Sequence, residues 1–152
     1  MNFLLDDDAL YAFLVARHQS SVDPAYMKFR TWTAARPAED AYFVSRMTVA
    51  RLYASILRMT NVPKRESTRQ EVESKLAAGL GIDSLLGIDE SVLKHWSSLR
   101  AGLGAATSFP SEQLIEVATA ITHGYTYLTH LTPELTNMQT SVLGLHIIDP
   151  FV

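Results

Sequence analysis

Three consecutive aspartates, Asp6-Asp7-Asp8, follow the apolar run Phe3-Leu4-Leu5. A carboxylate at the end of a buried strand can hold Mg²⁺ through oxygen ligands, as phosphoryl-transfer sites do. The same triplet suits a helix start, where Asp7 and Asp8 would cap free N–H groups and complement the dipole. Five histidines, His18, His95, His123, His130 and His146, are scattered through the chain. They form no i, i+4 zinc pair, and there is no Gly-x-Ser-x-Gly elbow. They read as ordinary surface or partly buried histidines, with His123 before Gly124 suited to a helix C-terminus. Glu112 and Glu116 stand four apart, on the side of their helix away from Leu114, Ile115 and Ala118, which reads as a solvated face. Lys64, Arg65 and Arg69 alternate with Glu66 and Glu71 and read as a charged surface rather than an RNA patch. No phosphate-binding glycine loop occurs; Gly102-Leu103-Gly104 follows a helix pattern, not a strand. The chain has no cysteine, which excludes disulfides, thiolate metal sites and cysteine nucleophiles.

These residues need elements to place them. Asn2–Asp6 has the form of a buried strand, and Asp8–Arg17 carries Leu10, Phe13 and Leu14 at helical spacing. Asp23-Pro24 is a helix start, with Ala25, Phe29 and Trp32 on one stripe. Ala41–Ser45 predicts a strand. Val49, Leu52, Tyr53, Ile56 and Leu57 predict an amphipathic helix over Thr48–Arg58. Asn61-Val62-Pro63 reads as a break, followed by a helix over Glu66–Leu80 that Gly81 ends. A strand is expected over Ser84–Ile88. Asp89 or Ser91 then caps a helix striped by Val92, Leu93, Trp96, Leu99 and Leu103. After a loop over Gly102–Pro110, a helix begins at Ser111 and stops at His123-Gly124. Tyr125–Thr129 predicts a strand, Thr132-Pro133 one helical turn, and Ser141–Ile148 the last strand. Alternating strands and helices predict one α/β domain over residues 1–152, with a mainly parallel sheet covered on both faces.

Composition sets the outer bounds. The chain has 152 residues, 47% hydrophobic and 19% charged, with a net charge of −3. That is ordinary globular composition in a chain long enough for one core. The acidic balance argues against broad non-specific nucleic-acid binding. No run approaches the roughly 18–20 apolar residues of a membrane helix. The opening residues lack the basic start of a signal peptide, so a cytoplasmic location and no membrane partner are expected.

The order of segments adds a resemblance. Leu4-Leu5-Asp6-Asp7-Asp8-Ala9-Leu10 resembles the opening of the PIN-domain family, in its VapC-type toxin branch. Asp23-Pro24 with Trp32 resembles that branch's second helix. Pro37–Ser45 followed by Met47-Thr48-Val49-Ala50 resembles its second strand and the next helix entry. Ile88-Asp89-Glu90 with Trp96 and Leu99-Arg100, then Ala118-Thr119-Ala120 with His123-Gly124 and Tyr127-Leu128-Thr129, are similar to its later units. Ile148-Asp149-Pro150-Phe151 is similar to its ending. The resemblance runs from residue 2 to 151 and implies a three-layer PIN-like fold. It also implies a metal-dependent endoribonuclease of a toxin–antitoxin pair, a homodimer with an antitoxin-like partner, and acids gathering Mg²⁺ or Mn²⁺.

The chain departs from that pattern at its centre. Asp6 is the expected first acid, catalytic and metal-binding. The other three cleft positions fall on Arg51, Gln113 and Leu131. A hard dication wants several carboxylates, so Asp6 is expected to bind metal only weakly. Asp8, Glu112 and Thr129 are the neighbours able to contribute. Whether Glu112, Glu116 or Glu134 replaces a missing acid stays open. The expectation is a degenerate nuclease centre acting by binding an antitoxin-like protein, RNA or a second copy, with no tightly held cofactor. The alternative is an active nuclease with a rearranged acidic site that uses Mg²⁺ or Mn²⁺. Helical phase makes Arg51 a solvated arginine; the family alignment turns it toward Asp6, where a guanidinium would oppose dication entry. Tyr26, Phe29, Trp32, Tyr53 and Leu57 supply apolar surface for self-pairing.

Overall fold

The computed structural model describes residues 1–15, 23–80, 82–104 and 108–152. At its centre lies strand β1 (Asn2–Leu5). Side chains alternate across a strand, so Phe3 and Leu5 enter one core and Leu4 the other, all fully buried. Burial on both faces explains why this run is continuously apolar. Among the described residues the sheet adds β2 (Ala41–Ser45), β3 (Leu85–Leu86), β4 (Thr126–Leu128) and β5 (His146–Ile148). All pairings are parallel, in the order β3-β2-β1-β4-β5.

Helices cover both faces. On the side of Phe3 and Leu5 lie α1 (Asp7–Leu14), α2 (Pro24–Ala34), α3 (Arg46–Leu57) and α4 (Val62–Gly79). They contribute Leu10, Phe13, Phe29, Leu52, Ile56 and Val72 to that core. On the side of Leu4 lie α5 (Glu90–Leu103), α6 (Ser111–His123) and α7 (Pro133–Ser141). They contribute Val92, Leu99, Leu114, Val117, Leu135 and Met138. This is the three-layer α/β architecture expected. Local chemistry sets the starts: Asp23 accepts from the Ala25 N–H at 2.9 Å, Ser45 from Met47 at 3.1 Å and Asp89 from Val92 at 3.0 Å. Asp89, not Ser91, is therefore the cap. Gly124, at φ 67°, closes α6 in the left-handed region.

Several boundaries differ from the sequence reading. Asn61-Val62-Pro63 opens α4 rather than breaking the chain: the Asn61 side chain accepts from the Lys64 N–H at 3.0 Å, and Pro63 sits in the first turn, where no N–H is needed. The expected strand over Ser84–Ile88 shrinks to Leu85–Leu86 because a 3-10 turn, Ile82–Ser84, takes its start and β2 is its neighbour on one side only. The single turn at Thr132-Pro133 is a full helix, held to the core by Leu135 and Met138 one turn apart. It consumes the start of the predicted last strand, and Gly144 (φ 85°) turns the chain into the short β5. α5 runs to Leu103, so the loop begins at Gly104. Leu93 is exposed, off the Val92–Trp96–Leu99 stripe. Arg17 of the first predicted helix, His18 and the cap Gly81 lie outside the described residues.

The apolar surface assigned to self-pairing is mostly the chain's own core. Phe29 is fully buried, Trp32 meets Phe3 edge-on at 5.3 Å, and Tyr26 packs on Tyr11 at 5.6 Å. Tyr53 is partly buried, and Leu57 alone of the five is largely exposed, at 63%. Among the described residues no helix is long and apolar enough to cross a membrane.

Candidate functional site

The carboxyl end of β1 delivers Asp6 to the start of α1, at the strand ends where α/β folds place their sites. Asp6 itself is the cap, not Asp7 or Asp8. Its carboxylate accepts the Ala9 N–H at 2.7 Å, its own N–H donates to the Leu128 carbonyl at 3.1 Å, and the Thr129 side chain hydrogen-bonds to it. Only 4% of Asp6 is exposed. Burial holds its carboxyl well above the ordinary range, against the Thr129 and Ala9 hydrogen bonds that pull it down; the charges of Glu116 and Asp7 push the same way as burial.

Arg51, one turn into α3, reaches across the cleft. Its guanidinium donates to Glu116 Oε1 at 2.7 Å and lies 3.2 Å from Asp7 Oδ1. It is neither the freely solvated arginine of helical phase nor a direct partner of Asp6. Glu116 corrects the sequence reading most sharply. Expected on a solvated face, it is 0% exposed, and its second oxygen accepts the hydroxyl of the fully buried Tyr127 at 2.5 Å. Burial pushes Glu116 up to about 7, against the pull of the Arg51 charge and of the Tyr127 and Arg51 hydrogen bonds. Burial pushes Arg51 down, but Glu116 and Asp7 more than offset it and hold the guanidinium above its ordinary value. Burial, then the Glu116 charge, hold the Tyr127 hydroxyl well above its ordinary range.

The remaining expected positions divide. Glu112 is exposed but lines a cavity of 460 Å³ with Asp7, Arg51 and Arg58, so it stands at the cleft mouth. Gln113 is partly buried beside it. Leu131 is 45% exposed, and its N–H donates to Asp149 Oδ2 at 2.9 Å. Asp149 also accepts the Phe151 N–H, so a carboxylate the sequence reading did not single out sits beside the fourth position. Glu134 is exposed in the first turn of α7. Asp8 lies 3.7 Å from His130, whose ring stacks on Phe151 at 4.1 Å. His95 hydrogen-bonds within its own layer to Thr122, His123 stacks on Tyr125, and His146 is exposed.

These residues do not fit Mg²⁺ or Mn²⁺. Such ions need several oxygen ligands with open lone pairs. Here the Asp6 carboxylate already accepts from Ala9 and Thr129, each Glu116 oxygen accepts a hydrogen bond, and Asp7 faces a fixed positive charge that repels a dication. Among the described residues no three histidine or acidic side chains converge to hold a metal ion. What the arrangement can do is neutralise its own acids and present a polar cleft walled by Asp7, Arg51, Arg58 and Glu112.

No family model matches the sequence, and no curated protein matches it. The fold does have solved counterparts. FitAcB from Neisseria gonorrhoeae superposes with a TM-score of 0.72 at 19% identity, covering 97% of this chain and 97% of that one. VapBC2 from Rickettsia felis, solved with a DNA fragment from its promoter, gives 0.69 at 14% identity over 98% of each. VapBC-5 from Mycobacterium tuberculosis, of the VapBC family of toxin–antitoxin systems, gives 0.62 at 16% identity, covering 97% and 98%. The chain therefore has the PIN-like fold of VapC-type proteins that its sequence resembles, over essentially its whole length.

Proposed function

We propose that this chain is the VapC-like member of a toxin–antitoxin type system whose metal-dependent endoribonuclease centre has been replaced, and that it acts by binding. The observation that carries the reading is Arg51: a guanidinium bridges Asp7 and Glu116 where the family resemblance calls for an acid. Support for an antitoxin-like partner comes from the full-length likeness to proteins solved as toxin–antitoxin complexes. RNA held without cutting, and pairing with a second copy, belong to the same reading. One observation favours the alternative of an active nuclease with a rearranged acidic site using Mg²⁺ or Mn²⁺. The charges of Asp7 and Glu116 reach Asp6, and that of Asp7 reaches Glu116, so three acids share one neighbourhood although they do not converge as metal ligands.

The test is expression of the chain alone and together with the product of its neighbouring reading frame. The binding reading predicts no growth arrest from the chain alone, and co-purification of the two products. Growth arrest that Asp6→Ala relieves would overturn it in favour of the active alternative.

A further inference from the structure

We infer that Arg51 is a built-in cation: its guanidinium occupies the place between Asp7 and Glu116 that a metal ion would fill, holds those acids together and keeps divalent cations out. The inference rests on the reading above that the centre holds no catalytic metal, and it applies whichever partner the protein binds. Its first support is geometry. One side chain from α3 bridges α1 in its own layer and α6 in the opposite layer, at 3.2 Å and 2.7 Å. A cation shared by carboxylates from separate elements is how a bound metal ties a fold together. The second support is Glu116, a carboxylate 0% exposed whose oxygens are met by Arg51 and the Tyr127 hydroxyl. Removing the guanidinium leaves that carboxylate facing Asp7 and Asp6 without its hydrogen-bonded cationic partner, a costly arrangement in a dry interior. The third is access. The 460 Å³ cavity opens directly onto Arg51 between Ala50, Ala54 and Glu112, so shortening this side chain exposes the acids to solvent ions. A planar guanidinium is suited to the task because its spread donors serve two carboxylates at once, while its permanent charge repels a dication.

The experiment compares the unmodified protein with Arg51→Glu, Arg51→Met and Arg51→Lys, using thermal melts and Mn²⁺ titration followed by electron paramagnetic resonance. The unmodified protein should bind no Mn²⁺ saturably, and its melting temperature should not move with the ion. Arg51→Glu and Arg51→Met should melt lower by about 4–8 °C without metal. Both should regain part of that loss in Mn²⁺, with the tighter binding in Arg51→Glu. Arg51→Lys, which keeps the charge, should stay insensitive to Mn²⁺. Adding Glu116→Gln to Arg51→Met should remove the metal response. If Arg51→Glu fails to fold, Arg51→Met carries the comparison. Saturable Mn²⁺ binding by the unmodified protein as tight as by Arg51→Glu would overturn the assignment. So would folded variants, destabilised or not, that gain no Mn²⁺ response: Arg51 would then be only an ion-pair partner.

Discussion

Glu116 shows how one residue can change what a cleft does. A carboxyl with no solvent contact persists because two donors meet its two oxygens. Even so, burial raises it from 4.5 to about 7, so the native state binds its proton more tightly than the unfolded chain does. The sign follows by linkage. The stability this group contributes is fully present below about pH 4.5, is lost as pH rises through about 7, and is constant above. Asp6, also raised by burial, adds to the same slope. Glu116→Gln should flatten the fall in stability between those two pH values by up to about 3 kcal/mol. Denaturant unfolding at a series of pH values reads this directly; an unchanged slope in the variant would show that Glu116 does not titrate there.

At the level of elements, polar starts explain both what the sequence disclosed and what it hid. Asp23-Pro24 was legible because cap and apolar stripe point the same way, whereas Ser45, read only as the end of a strand, also caps α3, which begins at Arg46 rather than Thr48. Asn61-Val62-Pro63 carries a start signal that resembles a stop when read from the preceding helix. α7 was underestimated because Thr136, Asn137 and Thr140 mask a stripe of only two core residues, Leu135 and Met138. Its cap is therefore a large part of its local stability: the Thr132 hydroxyl accepts the Leu135 N–H at 3.2 Å. Thr132→Ala should cost about 1 kcal/mol, read by chemical denaturation. The buried Glu116 was missed for a different reason. Helical periodicity sorts residues when a helix has one buried face, but α6 is buried from Glu116 through Ala120. The signal available was Thr119 and Ala120, small residues at i+3 and i+4 from Glu116, which mark that face as closely packed. Asp6 and Arg51 could be named as cleft residues from chain order alone. Their partners follow from burial that no local pattern encodes.

On the scale of the whole molecule, the same strand ends that organise the sheet collect the polar groups, and a positive charge now sits among them. The chain has a PIN-like fold along nearly all of its residues, and Asp7 and Glu116 at its centre pair internally with Arg51. The proposed reading follows from that arrangement: with these acids paired internally, the centre is poorly set up to hold a catalytic ion and the chain acts by binding. The most direct test is cleavage of structured RNA by the purified protein in Mg²⁺ or Mn²⁺, beside Asp6→Ala. The account predicts cutting no faster than in metal-containing buffer alone, with the two proteins indistinguishable. Robust cleavage by the unmodified protein that disappears in Asp6→Ala would contradict it.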